Sequence, residues 1–342
     1  MRLGDLGADV IKIEHTGTGD ESRGWGPPFD KRGESAYFLC CNRNKLSVAA
    51  DFTVPADAAL VRNLVASADV VMDNYLPGAL GRRGLDPATL VAQHPKLVWC
   101  TITGFGTESN RPGYDYVVQA EAGWMSITGE VNGEPMRAGT ALVDVLTGKD
   151  ALAAVMTTLT GVRAGFDVER HVTVSLYHTA ASALINVAQN LLVSGKDPSR
   201  MGNAHANLVP YQLFHAADGP FVMAVGNDGQ FAAVVKAFGV PPLADPRFAT
   251  NAGRVTHRVE LIGMMSTHIA THPVAHWVDT LQRIGVPTGA VRNVRDVLRD
   301  VAGSPLSGIP PYAPGVVRRP PPRLDQHGEL VRAEGWNAFA HA

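Results

Sequence analysis

The chain has 342 residues, of which 45% are hydrophobic and 18% charged, so it is long enough to bury the core of one large domain and of a smaller one. A formal net charge of -2, with acidic and basic residues scattered along the chain, argues against nucleic acid as a partner. Three cysteines without disulfide or metal-site spacing, no apolar run of membrane-spanning length and no secretory signal predict a cytoplasmic protein that does not enter a membrane.

The first part of the chain alternates between strands and helices. Residues 1–8 are typical of the last turns of a helix closed by Gly7, and 10–14 of a buried strand, so an upstream element is expected to be missing. Further strands are predicted at 70–75, 97–106 and 171–176, and helices at 56–68, 87–94, 144–164 and 177–193. This alternation predicts a large α/β domain over 1–200, Rossmann-like, with a parallel sheet covered by helices.

The composition changes after Gly195, where glycine, proline, asparagine and histidine cluster without clear periodicity, and a linker is predicted at 201–217. A smaller α+β domain is predicted at 218–295, with strands at 220–225 and 285–291 and helices at 228–238, 255–271 and 274–284. The tail at 296–342 is rich in proline, which favours an extended strap that returns to the large domain.

Ligands of open parallel sheets bind beyond the carboxyl ends of the strands, where loops and helix N-termini present free backbone donors. The residues at these positions are Glu14 and His15 after the first strand, and the segment 73–75 after the second. Arg82 follows closely enough to place a guanidinium at the same rim, where its planar fork suits a phosphate. The alternative, that Arg82 and Arg83 are solvated surface charges, stays open from spacing alone.

Two glycine-containing segments are weaker signals. The segment 104–106, with sequence GFG, lacks the third glycine of a dinucleotide-binding motif, and a simple turn explains it at least as well. Gly226, Asn227, Asp228 and Gly229 follow a predicted strand, so they form either a strand-to-helix turn or a mobile lid over a reactive intermediate. The twelve histidines show no metal-site spacing, and no metal is predicted.

Asp144 stands between two valines at the start of the helix predicted at 144–164. A carboxylate there is explained either as a helix N-cap or as a nucleophile that the helix dipole and free N–H donors hold ionised. Its position alone does not separate these two roles.

Several segments together resemble the class III (CaiB/BaiF, formyl-CoA transferase-like) CoA-transferase family over nearly the whole chain. They are LGDLGADVIKIE at 3–14, NRNK at 42–45, DNYLPGALGRRG at 73–84, GYDYVVQAEAGWMSITGE at 113–130, VDVLTG at 143–148, AVGNDGQF at 224–231 and GVPTGAV at 285–291.

The resemblance implies an enzyme that moves CoA from an acyl-CoA thioester to a carboxylic acid, without a metal. The nucleophilic aspartate of the family falls on Asp144, and the reaction would pass through an aspartyl anhydride and an aspartyl-CoA thioester. His15 replaces an arginine that some members carry, which weakens that phosphate contact. The family's contacts to CoA fall on His15, Ala50, Asn74, Tyr75, Leu76, Arg82, Arg111 and Tyr114.

The resemblance also implies a homodimer of two interlocked, ring-like chains. Members of the family begin with a further strand and a loop that touches CoA, and this chain is expected to lack them. A non-catalytic CoA-binding relative is therefore one alternative to an active transferase.

The related α-methylacyl-CoA racemases are a second alternative. They carry a histidine where this chain has Tyr114, and tyrosine, with a pKa near 10, is a poor replacement for an acid or base at the α-carbon. A nicotinamide oxidoreductase is disfavoured because no glycine fingerprint precedes an acidic residue at the required distance. The residues therefore favour a transferase.

Overall fold

The computed structural model describes residues 1–311 and 314–342. The chain forms two compact units. Unit 1 comprises Met1–Ala122, Gly139–Ala183 and Arg295–Ala342, and unit 2 comprises Gly123–Ala138 and Leu184–Val294. The segment 184–217, which the sequence assigned to the large domain and the linker, therefore groups with unit 2.

The strands and helices follow one another as the alternating pattern indicates. The strands are β1 (Ile11–Glu14), β2 (Leu46–Ala49), β3 (Val70–Asp73), β4 (Val98–Thr103), β5 (His171–Ser175), β6 (Tyr211–Ala216), β7 (Gly219–Ala224) and β8 (Thr288–Ala290). The helices are α1 (Arg2–Asp5), α2 (Ala36–Cys41), α3 (Pro55–Ala66), α4 (Pro87–Gln93), α5 (Asp115–Glu121), α6 (Trp124–Ile127), α7 (Leu142–Arg163), α8 (Leu176–Ser182), α9 (Ile185–Ser194), α10 (Asp228–Phe238), α11 (Asn251–Thr256), α12 (Arg258–Ile269), α13 (Val274–Arg283), α14 (Val294–Asp300) and α15 (Gly328–Glu334).

Unit 1 contains two parallel sheets. Strand β1 pairs with β2, with Ile11 opposite Leu46, while β4 lies between β3 and β5. Within residues 1–311 and 314–342 no ladder joins β1 to β3, so the parallel strands form two sheets where the sequence predicted one. Parallel pairing and the alternation of strands with helices are confirmed.

The strand β2, absent from the sequence prediction, contributes to the core of unit 1. Leu46 and Val48 are fully buried and pack with Leu64 of α3 and with Val331 and Ala338 near the C-terminus. Each aliphatic side chain buried in this way contributes about 2 kcal/mol to stability. The C-terminal segment therefore adds helical structure to unit 1, in addition to the extended chain that its prolines predict.

A buried ion network fixes the loop that follows β1. Arg23 donates to Glu14 Oε1 at 2.7 Å and to Oε2 at 2.8 Å, and to Glu34 at 2.8 Å. Ser47 of β2 donates to the same Glu14 carboxylate at 2.6 Å. Burial opposes ionisation of Glu14, but the hydrogen bonds from Arg23 and Ser47 outweigh it and lower the pKa of the carboxyl. Glu14 is therefore a structural residue, and not a free ligand at the end of the strand.

Unit 2 is built on the antiparallel sheet β6–β7–β8. Phe214, Phe221 and Trp277 are buried in its core, which helices α10, α12 and α13 help to form. Strand β6 lies inside the segment predicted as a linker. Alternate burial of its side chains, with Phe214 inward, explains why a short strand forms there in spite of the surrounding glycine and proline.

Two predicted helices are interrupted. The helix predicted at 177–193 is divided into α8 and α9, because Ile185 has a φ of 34° that a continuous right-handed helix does not allow. The helix predicted at 255–271 is likewise divided into α11 and α12 at His257. Both breaks lie in sequences whose apolar spacing is helical throughout, so periodicity alone does not reveal them.

Among the described residues, no helix combines the length and the apolar content that crossing a lipid bilayer requires.

Candidate active site

Asp144 lies in the first turn of α7, two residues after the helix begins at Leu142. The residue before the helix is Ala141, which has no side-chain group to cap it. The helix starts earlier than predicted, and the interpretation of Asp144 as its N-cap is wrong.

The N-terminus of α7 is capped by Asp115, the first residue of α5. Asp115 Oδ1 accepts the backbone N–H of Val143 at 2.8 Å and that of Asp144 at 3.3 Å. Asp115 Oδ2 accepts from the side-chain amide of Gln119 at 2.6 Å. Both Asp115 and Gln119 are buried, so the cap joins α5 to α7 in a fixed geometry. The GYD motif at 113–115 helps to indicate the family, but the capping role of its aspartate is visible only in the fold.

Burial, together with the charge of the capping Asp115, reverses the electrostatics expected for Asp144. The N–H groups of the first helical turn already donate to Asp115 and, from Leu142, to the carbonyl of Thr140. Burial of its carboxyl group, with the negative charge of Asp115 adding to the effect, raises the pKa of Asp144 to about 6. The expectation that free N–H donors hold Asp144 ionised is wrong, although most of its carboxyl groups are still charged at neutral pH.

The carboxylate of Asp144 has no hydrogen bond or ion pair with another side chain in the part of the chain that the structure describes. The residue keeps solvent contact, while its carboxyl group loses enough hydration for the pKa to rise. A carboxylate that is mostly ionised, accessible and unpaired is available for nucleophilic attack.

Helix α2 lies within electrostatic reach of Asp144. Burial raises the pKa of Tyr37, and the negative charge of Asp144 adds to this increase. The same charge opposes ionisation of Cys41. Trp25 packs edge-on against Tyr37, with ring centroids 4.9 Å apart, and lies 6.2 Å from the ring of Tyr114. The charge of Asp144 therefore acts on the hydroxyl of Tyr37 and on the thiol of Cys41.

The structure brings together the predicted CoA contacts that follow β1, β2 and β3. Asp51 follows Ala50 at the end of β2, and hydrogen bonds from Thr53 lower its pKa. The positive charges of His15 and Arg83 lower the pKa of Asp51 by a smaller amount, so both side chains lie within electrostatic reach of it. The ring of Phe52 lies 6.5 Å from that of Tyr75. These contacts place the three strand ends at one rim, as the parallel topology predicts.

The remaining contacts at this rim are open to solvent. Tyr75 and Leu76 are each almost half exposed, and Asn74 and Arg82 are exposed as well. Across residues 1–311 and 314–342, neither Arg82 nor Arg83 has a carboxylate within ion-pair distance. Their guanidinium groups are therefore free to bind an anion.

Arg111 and Tyr114 lie elsewhere in unit 1, near the start of α5. Arg111 donates to Glu121 at 3.0 Å and stacks 4.3 Å above the ring of Phe105. Together with Tyr177 and His178, these residues line a cavity of about 470 Å³. The charge of Arg111 is already compensated by Glu121, so a phosphate would have to displace that carboxylate.

The glycines of the 104–106 segment have a packing role. A Cβ atom on Gly104 would lie 2.7 Å from the Cα of Gly113, so the two backbones approach each other too closely for any other residue at either position. Gly106 has a φ of 94°, in the region that favours glycine. The turn interpretation explains both glycines without a phosphate.

In unit 2, the four residues predicted as a lid form a capped helix start. The side chain of Asn227 accepts the N–H of Gln230 at 2.9 Å, and Gly226 donates to the Gln230 side chain at 2.8 Å. Asp228 accepts from the buried Arg254 at 2.8 Å. Gly229 lies in the first turn of α10. These contacts hold the segment as a capped turn, and its role as a lid stays a prediction.

No cluster of three or more histidine, cysteine, aspartate or glutamate side chains suited to a metal ion occurs in the described part of the chain.

Comparison with known proteins identifies what this arrangement is similar to. The sequence profile of CoA-transferase family III matches residues 1–305. The chain is 37% identical to a succinate–glutarate CoA-transferase of Agrobacterium fabrum, over 97% of the chain and 90% of that protein. It is 39% identical to the succinyl-CoA:glutarate CoA-transferase of Mus musculus, over 88% of the chain and 69% of that protein.

A solved structure gives the same result. A CaiB/BaiF family protein from Brucella suis aligns with a TM-score of 0.81 at 39% identity, and the alignment covers 97% of this chain and 93% of the other.

Proposed function

The chain belongs to CoA-transferase family III and is an enzyme that transfers CoA, and on this premise we propose that Asp144 is the nucleophile that carries CoA during the transfer. The observation that supports this most strongly is its unpaired carboxylate in the first turn of α7, held in place through the cap that Asp115 provides. A pKa of about 6 leaves the carboxylate ionised at neutral pH and more basic than an ordinary aspartate.

The reaction begins when a carboxylate oxygen of Asp144 attacks the carbonyl carbon of the donor acyl-CoA. The carbon–sulfur bond breaks, which gives a mixed anhydride and the CoA thiolate. The thiolate then attacks the aspartyl carbonyl, releases the donor acid and leaves CoA on Asp144 as a thioester. The acceptor carboxylate then attacks the aspartyl thioester and releases the thiolate, which attacks the acyl carbonyl of the new anhydride and frees Asp144. The thioester energy is therefore conserved without ATP.

The acids that this enzyme exchanges are proposed to be short dicarboxylic acids. The two curated relatives described above are named for succinate and glutarate, and each is similar to this chain over most of its length. A dicarboxylic acceptor offers one carboxylate to the aspartyl thioester and keeps a second for recognition.

CoA is proposed to bind at the rim formed by the ends of β1, β2 and β3. Arg82, an unpaired cation, would bind a phosphate, with Asn74 and the backbone at Ala50 nearby. Tyr75 and Leu76 offer exposed apolar surface for the adenosine or pantetheine parts. His15 would donate a weaker contact than the arginine of some relatives, and Arg111 and Tyr114 would contribute only if their present partners are displaced.

In unit 2, the segment Gly226 to Gly229 is proposed to act as a lid that limits hydrolysis of the anhydride. Its glycines permit the backbone change that opening and closing require.

Unit 2 also carries an exposed apolar stripe on α9, where Ile185, Leu192 and Val193 are 70%, 76% and 78% exposed. That stripe supports the proposal of a homodimer, because a soluble monomer rarely exposes so many large apolar side chains on one helix.

The racemase alternative is weakened by the surroundings of Tyr114. Its hydroxyl donates to Glu21 at 3.3 Å, and the negative charge of Glu21 raises the pKa of Tyr114 further above its ordinary value. A group that is harder to ionise than free tyrosine is a poor base for removing an α-proton.

Replacing Asp144 with asparagine tests the proposal. The variant Asp144→Asn is expected to lose transfer activity by more than about a thousandfold, because the amide cannot form an anhydride. Binding of CoA, measured by calorimetry, should change little. The matched control is Asp69→Asn, which alters an exposed carboxylate paired with Arg163 on the surface. An Asp144→Asn variant that retains transfer would refute the assignment.

A further inference from the structure

The end of α2 carries two adjacent cysteines whose thiols face the same side of the chain. Cys40 and Cys41 are both exposed, and their sulfur atoms lie 3.4 Å apart. The remaining cysteine, Cys100, is buried in β4, and burial raises its pKa to about 11. The chain therefore has one accessible dithiol and one buried thiol that serves as an internal comparison.

The charges around this pair favour a thiolate on Cys41. The hydrogen bond from Cys40 lowers the pKa of Cys41 to about 6, and the positive charge of Lys45 adds to this effect. The shared proton has the opposite effect on Cys40, whose pKa is raised. Burial lowers the pKa of Lys45 to about 8, so its ammonium group is still mostly charged at pH 7.

Burial of the Cys41 thiol opposes its ionisation and limits this effect. Asp144 carries a negative charge that opposes ionisation of Cys41. Burial lowers the pKa of the Met1 amino group to about 4, so that group is neutral at pH 7 and Lys45 supplies the neighbouring positive charge. A thiolate next to a thiol and a cation is the arrangement found in reactive cysteine pairs.

The pair is also connected to the surroundings of Asp144. The sulfur of Cys40 also lies 3.1 Å from the backbone carbonyl oxygen of Tyr37, one turn earlier in α2. Both Tyr37 and Cys41 lie close enough to Asp144 for its charge to act on them. A change of conformation at Cys40 and Cys41 therefore moves groups that border the proposed nucleophile.

We propose that Cys40 and Cys41 form a vicinal dithiol that is a site of reversible oxidation by hydroperoxides. The thiolate of Cys41 attacks one oxygen of hydrogen peroxide, the O–O bond breaks, and a sulfenic acid and a hydroxide ion form. The hydroxide takes up a proton from solvent, which replaces the one that Cys41 lost on ionisation, and becomes the first water. The thiol of Cys40 then attacks the sulfur of that sulfenic acid, the S–O bond breaks, and a second water leaves. Two thiols are oxidised to one disulfide while one peroxide is reduced to two waters.

The helical backbone makes the oxidised pair easy to reduce. Adjacent residues have Cα atoms about 3.8 Å apart, whereas ordinary disulfides span about 4.4 to 6.8 Å. The last turn of α2 must therefore change conformation when the ring closes, and the bond is strained. Strained, exposed disulfides are the ones that cellular thiols reduce readily, so the modification is reversible.

The consequence for catalysis rests on the proposed function of Asp144, while the oxidation itself does not. Unwinding the last turn of α2 displaces Cys41 from Asp144 and breaks the contact between Cys40 and the carbonyl of Tyr37, and CoA transfer is expected to fall at least severalfold. Reduction with dithiothreitol should restore transfer, because no atom is lost from the protein.

The test treats the full-length protein with hydrogen peroxide at neutral pH and follows its peptides by mass spectrometry. Cleavage after Arg32 and Arg43 gives a peptide that contains Cys40 and Cys41 but not Cys100. This peptide is expected to lose two hydrogen atoms, while the Cys100 peptide stays reduced. Phenylarsine oxide, which binds two neighbouring thiols at once, should bind the reduced protein and protect the pair.

The variant Cys40→Ser separates the disulfide from simple oxidation of one cysteine. In this variant Cys41 has no partner, so its peptide should gain two or three oxygen atoms as a sulfinic or sulfonic acid. Dithiothreitol does not reduce these acids and should not restore transfer after peroxide treatment. A wild-type peptide that stays reduced, or that gains only oxygen, contradicts the proposal. A disulfide that forms without changing transfer refutes the link to Asp144, and the mass change is readable whether or not Asp144 is the nucleophile.

Discussion

Asp115 Oδ1 accepts the backbone N–H of Asp144 at 3.3 Å, so the group that caps α7 is a second carboxylate beside the proposed nucleophile. This arrangement has two effects. It fixes the first turn of the helix, and it places a negative charge where it makes Asp144 harder to ionise. The nucleophile is therefore positioned by the same residue that raises its basicity.

The pH dependence of the reaction follows from this pair. A carboxyl with a pKa of about 6 is protonated and unreactive below that pH, so kcat/KM for acyl-CoA is expected to fall as the pH decreases through about 6. The variant Asp115→Asn keeps an oxygen that accepts the N–H groups of Val143 and Asp144 but removes the charge. Its acidic limb should therefore move to lower pH, which a series of pH–rate profiles measures.

The variant Asp115→Ala is the matched comparison. It removes the cap as well as the charge, and it should lower the free energy of unfolding by about 1 kcal/mol, as loss of a helix cap does. A purely structural role for Asp115 predicts that Asn and Ala variants differ in stability but share the wild-type pH profile, and that result would contradict the account.

Arg82 provides a test of the CoA-binding rim. Its guanidinium has no carboxylate partner within residues 1–311 and 314–342, so its charge is available to a phosphate. The variant Arg82→Gln should raise KM for acyl-CoA by about tenfold with little change in kcat, because one charge-assisted hydrogen bond is lost equally from the ground and transition states. The control is Lys96→Gln. Lys96 is an exposed cation just before β4 begins, at the end of that strand away from the carboxyl-end rim, so KM should stay unchanged.

The lid proposal predicts a change in product, and not only in rate. Gly226→Ala reduces the backbone freedom of the segment without a steric clash, since the added Cβ would lie 3.5 Å from the Gln230 side chain. If the segment excludes water, hydrolysis of acyl-CoA in the absence of an acceptor should increase severalfold relative to transfer. Gly263→Ala in α12, where a Cβ meets nothing within 4 Å, is the control. An unchanged ratio would argue that the segment is a turn alone.

The sequence predicts the main elements of this fold because their signals are local. The ends of strands β1, β3, β4 and β5 and of helix α7 each lie within three residues of the predicted ends. Strand β2 escapes prediction because it has only four residues, all of them buried, which is too short a segment to show a clear period. Strand β6 escapes because glycine and proline surround it.

The site is predicted less completely, because its electrostatics depend on contacts between distant residues. The motif that contains Asp144 indicates a carboxylate at a helix start, but nothing local shows that Asp115, 29 positions earlier, takes the backbone donors. The GYD motif offered the signal, since an aspartate at the start of a short helix is either a cap for its own helix or for a neighbour. The reactivity proposed for Cys40 and Cys41 depends on Lys45, which is near in sequence, and on Asp144, which only the fold brings within reach.

The most direct test of the central claim is to trap the covalent intermediate on Asp144. The protein is incubated with succinyl-CoA and no acceptor, treated with hydroxylamine, digested and analysed by mass spectrometry. The account predicts a hydroxamate on Asp144, formed from the aspartyl-CoA thioester or the anhydride, and no such product in Asp144→Asn. Transfer of CoA without any modification of Asp144, or a hydroxamate on another carboxylate that disappears together with activity when that residue is replaced, would contradict it.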